Sequence, residues 1–264
     1  MSLLSPDRLS IALYPDRLSW LRVSGWKPRV VEKGELQFMQ SQAGILQAMD
    51  QLLGNIPRNM KISVVLSNRL LRYACIPNPD AARNAAERLM LARHAFVSIH
   101  GQSAEQWELI LSHGAIGKEA LACAVDADLL AELKSAIQRH RHHLHSMKPY
   151  LMAAFNVQNR KSRSKNGLFT LAEPGRLCAV AWREGGWKGV QQAHFDGDTV
   201  QTQGLLDRMR VLADLPDEKV QVCAPEMPNL RIGGDESRHQ FSWLPGLSVA
   251  QDYAWGGAML GVGR

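Results

Sequence analysis

Four histidines crowd the run Arg139-His-Arg-His-His-Leu-His145, the densest group of potential ligands in the chain. Imidazoles three apart on a helix, His140 with His143 or His142 with His145, would suit a soft divalent metal. Arg139 and Arg141 stand among them and repel a cation, and cationic side chains belong at a helix C-terminus in any case, so no metal is expected. Asp126 and Asp128 form a carboxylate pair with no third acid or histidine at ligand spacing. They read as a helix N-terminus ahead of Leu129, Leu130, Leu133 and Ile137. Cys75, Cys123, Cys178 and Cys223 lie far apart in apolar runs with no Cys-x-x-Cys pair, the pattern of buried reduced thiols. The chain has no Gly-x-Ser-x-Gly elbow, no Gly-x-x-x-x-Gly-Lys loop and no His-Glu-x-x-His pair. No catalytic residue is assigned.

What remains is charge. The net charge is +6, and between Glu132 and Glu173 there is no acidic residue, while Lys134, Arg139, Arg141, Lys148, Arg160, Lys161, Arg163 and Lys165 all fall there. Such a stretch favours anionic lipid, an acidic protein surface or nucleic acid; it is also what a solvated helix end followed by a linker looks like. No aromatic residue is interleaved with Arg160 to Lys165 for base stacking, so nucleic acid is not the expected partner. Arg139, Arg141, Arg160, Lys161, Arg163 and Lys165 are the candidate basic surface.

The elements that must position these groups follow from periodicity. At 264 residues, 45% hydrophobic and 21% charged, the chain can build two lobes with cores of their own. No apolar run approaches the roughly 18 residues of a membrane span, and the start Met-Ser-Leu-Leu-Ser-Pro-Asp lacks the regions of a signal peptide, which together predict a cytoplasmic protein. One pattern occurs twice. Residues 9–23 and 168–182 each read as an apolar strand, a turn carrying a proline, then Arg-Leu and a second strand; Pro15 matches Pro174, and Arg17-Leu18 matches Arg176-Leu177. After the first copy come a third strand over Arg29 to Phe38, a helix from Gln42 to Leu53 and a strand over Lys61 to Leu66. After the second come Gly189 to Phe195, a helix from Asp198 to Ala213 and a strand over Lys219 to Ala224. Both halves therefore run β-β-β-α-β.

A strand over Leu70 to Ile76 ends at Pro77 and Pro79. Asp80 caps an expected helix from Ala81 to Phe96, and strands follow at Trp107 to Leu111 and Leu121 to Val125. The predicted domains are a first lobe over 1–157 with an inserted α+β subdomain at about 80–118, a basic linker over 158–166 without an apolar residue, and a second lobe over 167–264. From Met147 to Asn156, with Leu151, Met152, Ala154 and Phe155, a short buried helix is expected.

Two β-β-β-α-β lobes, each opening on a hairpin, resemble the duplicated ribonuclease-H-like fold of the actin-like superfamily. The closing stretch Ala250-Gln-Asp-Tyr-Ala-Trp-Gly-Gly-Ala-Met-Leu260 is similar to the last helix of its PilM branch. The resemblance implies an α/β fold of two lobes, with a small α+β insertion in the first and a reduced second. In nucleotide-binding members the hairpin turns carry Asp-x-Gly, so that backbone amides approach phosphates and the Asp positions magnesium. Here the turns read Tyr14-Pro15-Asp16-Arg17 and Glu173-Pro174-Gly175-Arg176, each with a proline that supplies no amide. Gly256-Gly257 stands near where an adenosine-contacting pair sits in the superfamily. No cofactor is expected.

Two bacterial branches use this fold as a cytoplasmic adaptor: PilM of type IV pili, which grips a short tail of its membrane partner, and the cytoplasmic part of GspL in type II secretion, which recruits an assembly ATPase. The resemblance implies a non-catalytic adaptor at the inner face of the inner membrane, bound to a membrane protein's cytoplasmic tail or to an assembly ATPase, with the basic stretch toward anionic lipid. The alternative is a divergent actin-like ATPase or sugar kinase.

Overall fold

The computed structural model describes residues 7–25, 29–77, 84–112, 117–162, 164–227, 229–230, 239–242 and 253–262, with residues 160–162, 241, 242 and 253 described by backbone alone. The first hairpin pairs β1 (Arg8–Leu13) with β2 (Arg17–Ser24), and β3 (Arg29–Gln37) adds on the far side of β2, both antiparallel. Helix α1 (Gln42–Asn55) begins where the Ser41 hydroxyl accepts from the Gly44 amide at 3.0 Å. It buries Ile45, Met49, Leu52 and Leu53, the face set by helical spacing. The chain returns parallel to β1 as β4 (Lys61–Leu66), giving the order β3-β2-β1-β4. A fifth strand, β8 (His143–Pro149), lies parallel to β4 at the other edge.

The second copy repeats this arrangement. β9 (Asn166–Glu173), β10 (Arg176–Arg183) and β11 (Gly186–Ala193) form the antiparallel half, α5 (Thr199–Ala213) crosses over, and β12 (Val220–Cys223) and β13 (His239–Ser242) add in parallel. The order β11-β10-β9-β12-β13 has the pattern of the first sheet. Asp198 starts α5 as the sequence predicts: its carboxylate accepts from the Val200 and Gln201 amides at 2.8 and 3.3 Å. Replacing Asp198 with alanine is expected to lower stability by about 1 kcal/mol, read as a fall in the thermal midpoint.

Between the copies, β5 (Leu71–Ile76), α2 (Ala85–His100), β6 (Trp107–Leu111) and β7 (Ala120–Asp126) form an antiparallel sheet of order β5-β7-β6 with a helix on it. The observed cap of α2 is Asn84, whose side chain accepts from the Glu87 amide at 2.9 Å; Asp80 and Ala81 lie outside the described residues. Although this subdomain interrupts the first copy in sequence, it is compact with the second sheet. The Gln192 side chain on β11 accepts from the Tyr73 amide at 3.2 Å and donates to the Leu71 carbonyl at 3.3 Å, occupying backbone groups at the edge of β5. The Trp187 amide donates to the Glu119 carbonyl, its indole to the Ser112 hydroxyl, and the Lys188 ammonium meets both Glu119 oxygens at 3.0 Å.

Three expectations change. Helix α3 (Ala127–Arg139) stops at Arg139, and the histidine run that follows enters strand β8 rather than continuing as helix. α4 (Tyr150–Ser162) carries helix into the polar stretch 158–166, because Gln, Arg and Lys are good helix formers that need no buried face. The closing helix α6 (Gly256–Gly261) packs against β1, β2 and β4 and belongs to the compact unit of the first sheet. It comes close because the facing positions are small: Ser10 donates its hydroxyl to the Ala258 carbonyl, and Gly261 lies against Ser10 and Ser63. Trp255, just before it, donates its indole N–H to the Gly34 carbonyl at 3.0 Å and stacks beneath the Lys33 ammonium at 4.3 Å.

Candidate functional site

The two hairpin turns are where a nucleotide-binding member of the fold would work, and both are two-residue turns. In the first, the Tyr14 amide donates to the Arg17 carbonyl at 2.9 Å across Pro15-Asp16. Tyr14 and Pro15 are buried, and the Tyr14 ring meets Tyr150 edge-on at 6.4 Å. The Arg17 guanidinium lies 3.9 Å over the Tyr14 ring, and Asp16 accepts through Oδ2 from Arg69 at 2.8 Å. The other Asp16 oxygen is shielded from solvent and has no hydrogen bond among the described residues. Arg69 sits in a short turn after β4, where the Ser67 amide donates to the Leu13 carbonyl and the Ser67 hydroxyl accepts from the Arg69 amide at 3.1 Å. Sequence spacing gave no sign of Arg69, which lies far from Asp16 along the chain and meets it only through the parallel pairing of β1 with β4.

In the second turn Glu173 pairs with Arg176 across Pro174-Gly175, and Gly175 takes φ 82°, the left-handed position that a Pro-Gly turn reserves for glycine. Glu173 is fully buried. Arg72 on β5 is half-buried, and burial followed by the positive charge of Arg176 draws its pKa down. Burial first, then Cys123, Cys178 and Glu173, pushes the Tyr73 phenol well up. The Cys75, Cys123 and Cys223 thiols are pushed up to about 12, each by burial first. These cysteines are therefore protonated at neutral pH and unsuited to nucleophilic attack.

The histidines do not converge. The His140 ring meets Asp50 at 3.0 Å; buried His142 accepts at Nδ1 from the Met60 amide and donates from Nε2 to the Leu53 carbonyl; His143 meets Asn59 at 2.7 Å; His145 is exposed. Helical spacing fails as a guide because these residues lie on a turn and a strand. Among the described residues no three potential metal ligands gather. Arg139, the last residue of α3, donates to both Asp50 oxygens at 2.8 and 3.0 Å, and that bond is the main reason the Asp50 carboxyl is held below its ordinary range. Arg141 is exposed and takes φ 60°. Arg160 and Lys161 belong to the end of α4, Lys165 is exposed before β9, and Arg163 lies outside the described residues. Gly256 and Gly257 are buried at the start of α6.

No family model matches the chain, and no curated protein matches it in sequence. Its paired sheets of order 3-2-1-4-5, joined by a helix crossover in each copy, are those of the actin-like fold. Among solved structures it is similar to the cytoplasmic domain of EpsL, an inner membrane component of the type II secretion system of Vibrio cholerae, at TM-score 0.61 and 14% identity over 95% of this chain and 94% of that one. A chain of the PilM-PilN type IV pilus biogenesis complex matches at TM-score 0.59 and 12% identity over 97% and 99% of the two chains. A Bacteroides thetaiotaomicron protein with an actin-like ATPase fold matches at 0.57 and 10% identity, over 83% and 81%. At these identities the likeness establishes the fold. No helix among the described residues is long and apolar enough to cross a membrane.

Proposed function

We propose that this protein is a non-catalytic adaptor of a type IV pilus or type II secretion assembly, working at the cytoplasmic face of the inner membrane. Its partner is an inner-membrane protein with a short cytoplasmic tail, or an assembly ATPase. The observation that carries the reading is the state of the hairpin turns. A nucleotide phosphate needs free amides and close backbone approach, yet Pro15 and Pro174 supply none, the Tyr14 amide is bonded to Arg17, and Arg69 holds the Asp16 carboxylate. These residues do not fit a magnesium nucleotide. The two structures matched at TM-scores of 0.61 and 0.59, one an inner membrane component of a secretion system and the other from a pilus biogenesis complex, support the assembly pathway. The cationic residues Arg139, Arg141, Arg160, Lys161, Arg163 and Lys165 are the ones proposed to contact anionic lipid or an acidic partner.

Isothermal titration with ATP and magnesium is expected to give no heat of binding; micromolar affinity or turnover would overturn the reading in favour of a divergent actin-like ATPase or sugar kinase. Immobilised cytoplasmic tails of inner-membrane proteins of type IV pilus and type II secretion assemblies are expected to retain the protein. Retention by none of them would sink the adaptor role.

A further inference from the structure

We infer that a pocket at the ends of α1 and α3 is a binding site for a phosphate group, gripped by Arg58 and Arg141. The pocket encloses about 210 Å³, and Arg58, Arg139, His140 and Arg141 line it together with Leu53 and Ile56. All of these belong to the unit of the first sheet; the site lies away from the hairpin turns and, because it shares Arg139 and Arg141 with the proposed basic surface, its lipid-headgroup form rests on the adaptor reading. The charges do not balance. Asp50 engages Arg139 and His140, while Arg58 and Arg141 form no ion pair among the described residues. Three guanidiniums thus face one carboxylate. Their planar forks match the oxygens of a phosphate in pairs, which gives such a site its selectivity over a monovalent halide.

Two helices end here, and the negative end of a helix dipole offers the ordinary reason for arginines in this place. The bonding at the end of α3 removes that reason. The Ala136, Ile137 and Gln138 carbonyls already accept from the His140, His142 and Arg141 amides at 3.1, 3.0 and 2.9 Å, the double closure of a Schellman motif. The Arg141 guanidinium is therefore not needed to cap α3. Independently, Arg141 occupies the left-handed position that ends such a motif, φ 60°, where glycine is the unstrained choice. A strained arginine kept beside a cationic pocket is the kind of outlier that marks a binding site.

The phosphate has two sources, an anionic lipid headgroup and free phosphate; two probes separate them, and one pair of variants tests the site. Arg141→Gly removes the charge while relaxing the backbone, so the fold survives, and Arg58→Gln removes the second charge from an exposed position. Backbone amide spectra are recorded during titration with inorganic phosphate against chloride at equal ionic strength. Cosedimentation is measured with phosphatidylglycerol and with phosphatidylcholine vesicles. Phosphate is expected to shift the amides of Gly54, Arg58 and Arg141 in the parent and not in the double variant. If the source is a headgroup, partition onto phosphatidylglycerol falls roughly thirtyfold in the double variant, from about 1 kcal/mol per cation at an anionic surface. Phosphate shifts without vesicle binding assign the site to free phosphate. If neither probe shows binding that depends on Arg58 and Arg141, the proposal is overturned.

Discussion

Gly261→Ala is expected to destabilise the first unit by about 2 kcal/mol, although alanine is the better helix former by about 1 kcal/mol. A methyl group built on Gly261 falls on the Ser10 hydroxyl and lies 3.2 Å from Ser10 Cβ and 3.4 Å from Ser63 Cβ. Two responses are open. Ser10 can rotate, losing its bond to the Ala258 carbonyl and leaving a buried hydroxyl unpaired, which costs about 1–3 kcal/mol. Otherwise α6 must lift from β1 and β4 and expose Ala258 and Leu260, both buried. Urea denaturation of Gly261→Ala reads the loss, and hydrogen exchange in β1 locates it. An unchanged midpoint would mean that α6 does not pack on the sheet in this way.

Phe96→Ala is expected to cost about 3–5 kcal/mol and to melt the three-stranded subdomain before the rest. The core of that subdomain is Ala74, Ile76, Ala92, Phe96, Ala104, Leu109, Ala122 and Ala124, so most of its members are alanines and one large ring fills the space between them. Phe96 is fully buried and meets Trp107 edge-on at 6.2 Å. Small neighbours cannot expand into the cavity, and relaxation will be slight. Hydrogen exchange should show β5, β6 and β7 losing protection while α5, with Leu205, Leu206 and Met209 buried in a separate cluster, retains it. Equal loss in both would show that subdomain and second sheet unfold as one.

The antiparallel half of each sheet, the crossover helices α1 and α5 and the actin-like order were legible in the sequence, because those elements bury one face and obey a strict period. β8 and β13 were not. They are the outer parallel strands, and β8 offers exposed His143, Leu144 and His145 where a buried strand would alternate apolar and polar residues. The docking of the inserted subdomain was equally hidden, since it depends on single polar residues, Gln192, Glu119 and Trp187, that leave no periodic trace. At the turns, the prolines were visible as missing amides, whereas the engagement of Asp16 by Arg69 needed the parallel pairing to bring them together. Arg58 went unremarked because it is an isolated cation after a proline, and only the fold sets it beside Arg139 and Arg141.

The bond between Ser10 and Ala258 also bears on how the protein is made. A ribosome releases the Ser10 region of β1 some 248 positions before Ala258 of α6, so the first sheet waits for its covering helix while the second sheet and the subdomain emerge in between. The lobe translated first is thus the one completed last. During that interval the face of β1 and β4 that α6 will cover is open to solvent, a surface on which the nascent chain is exposed to misassembly.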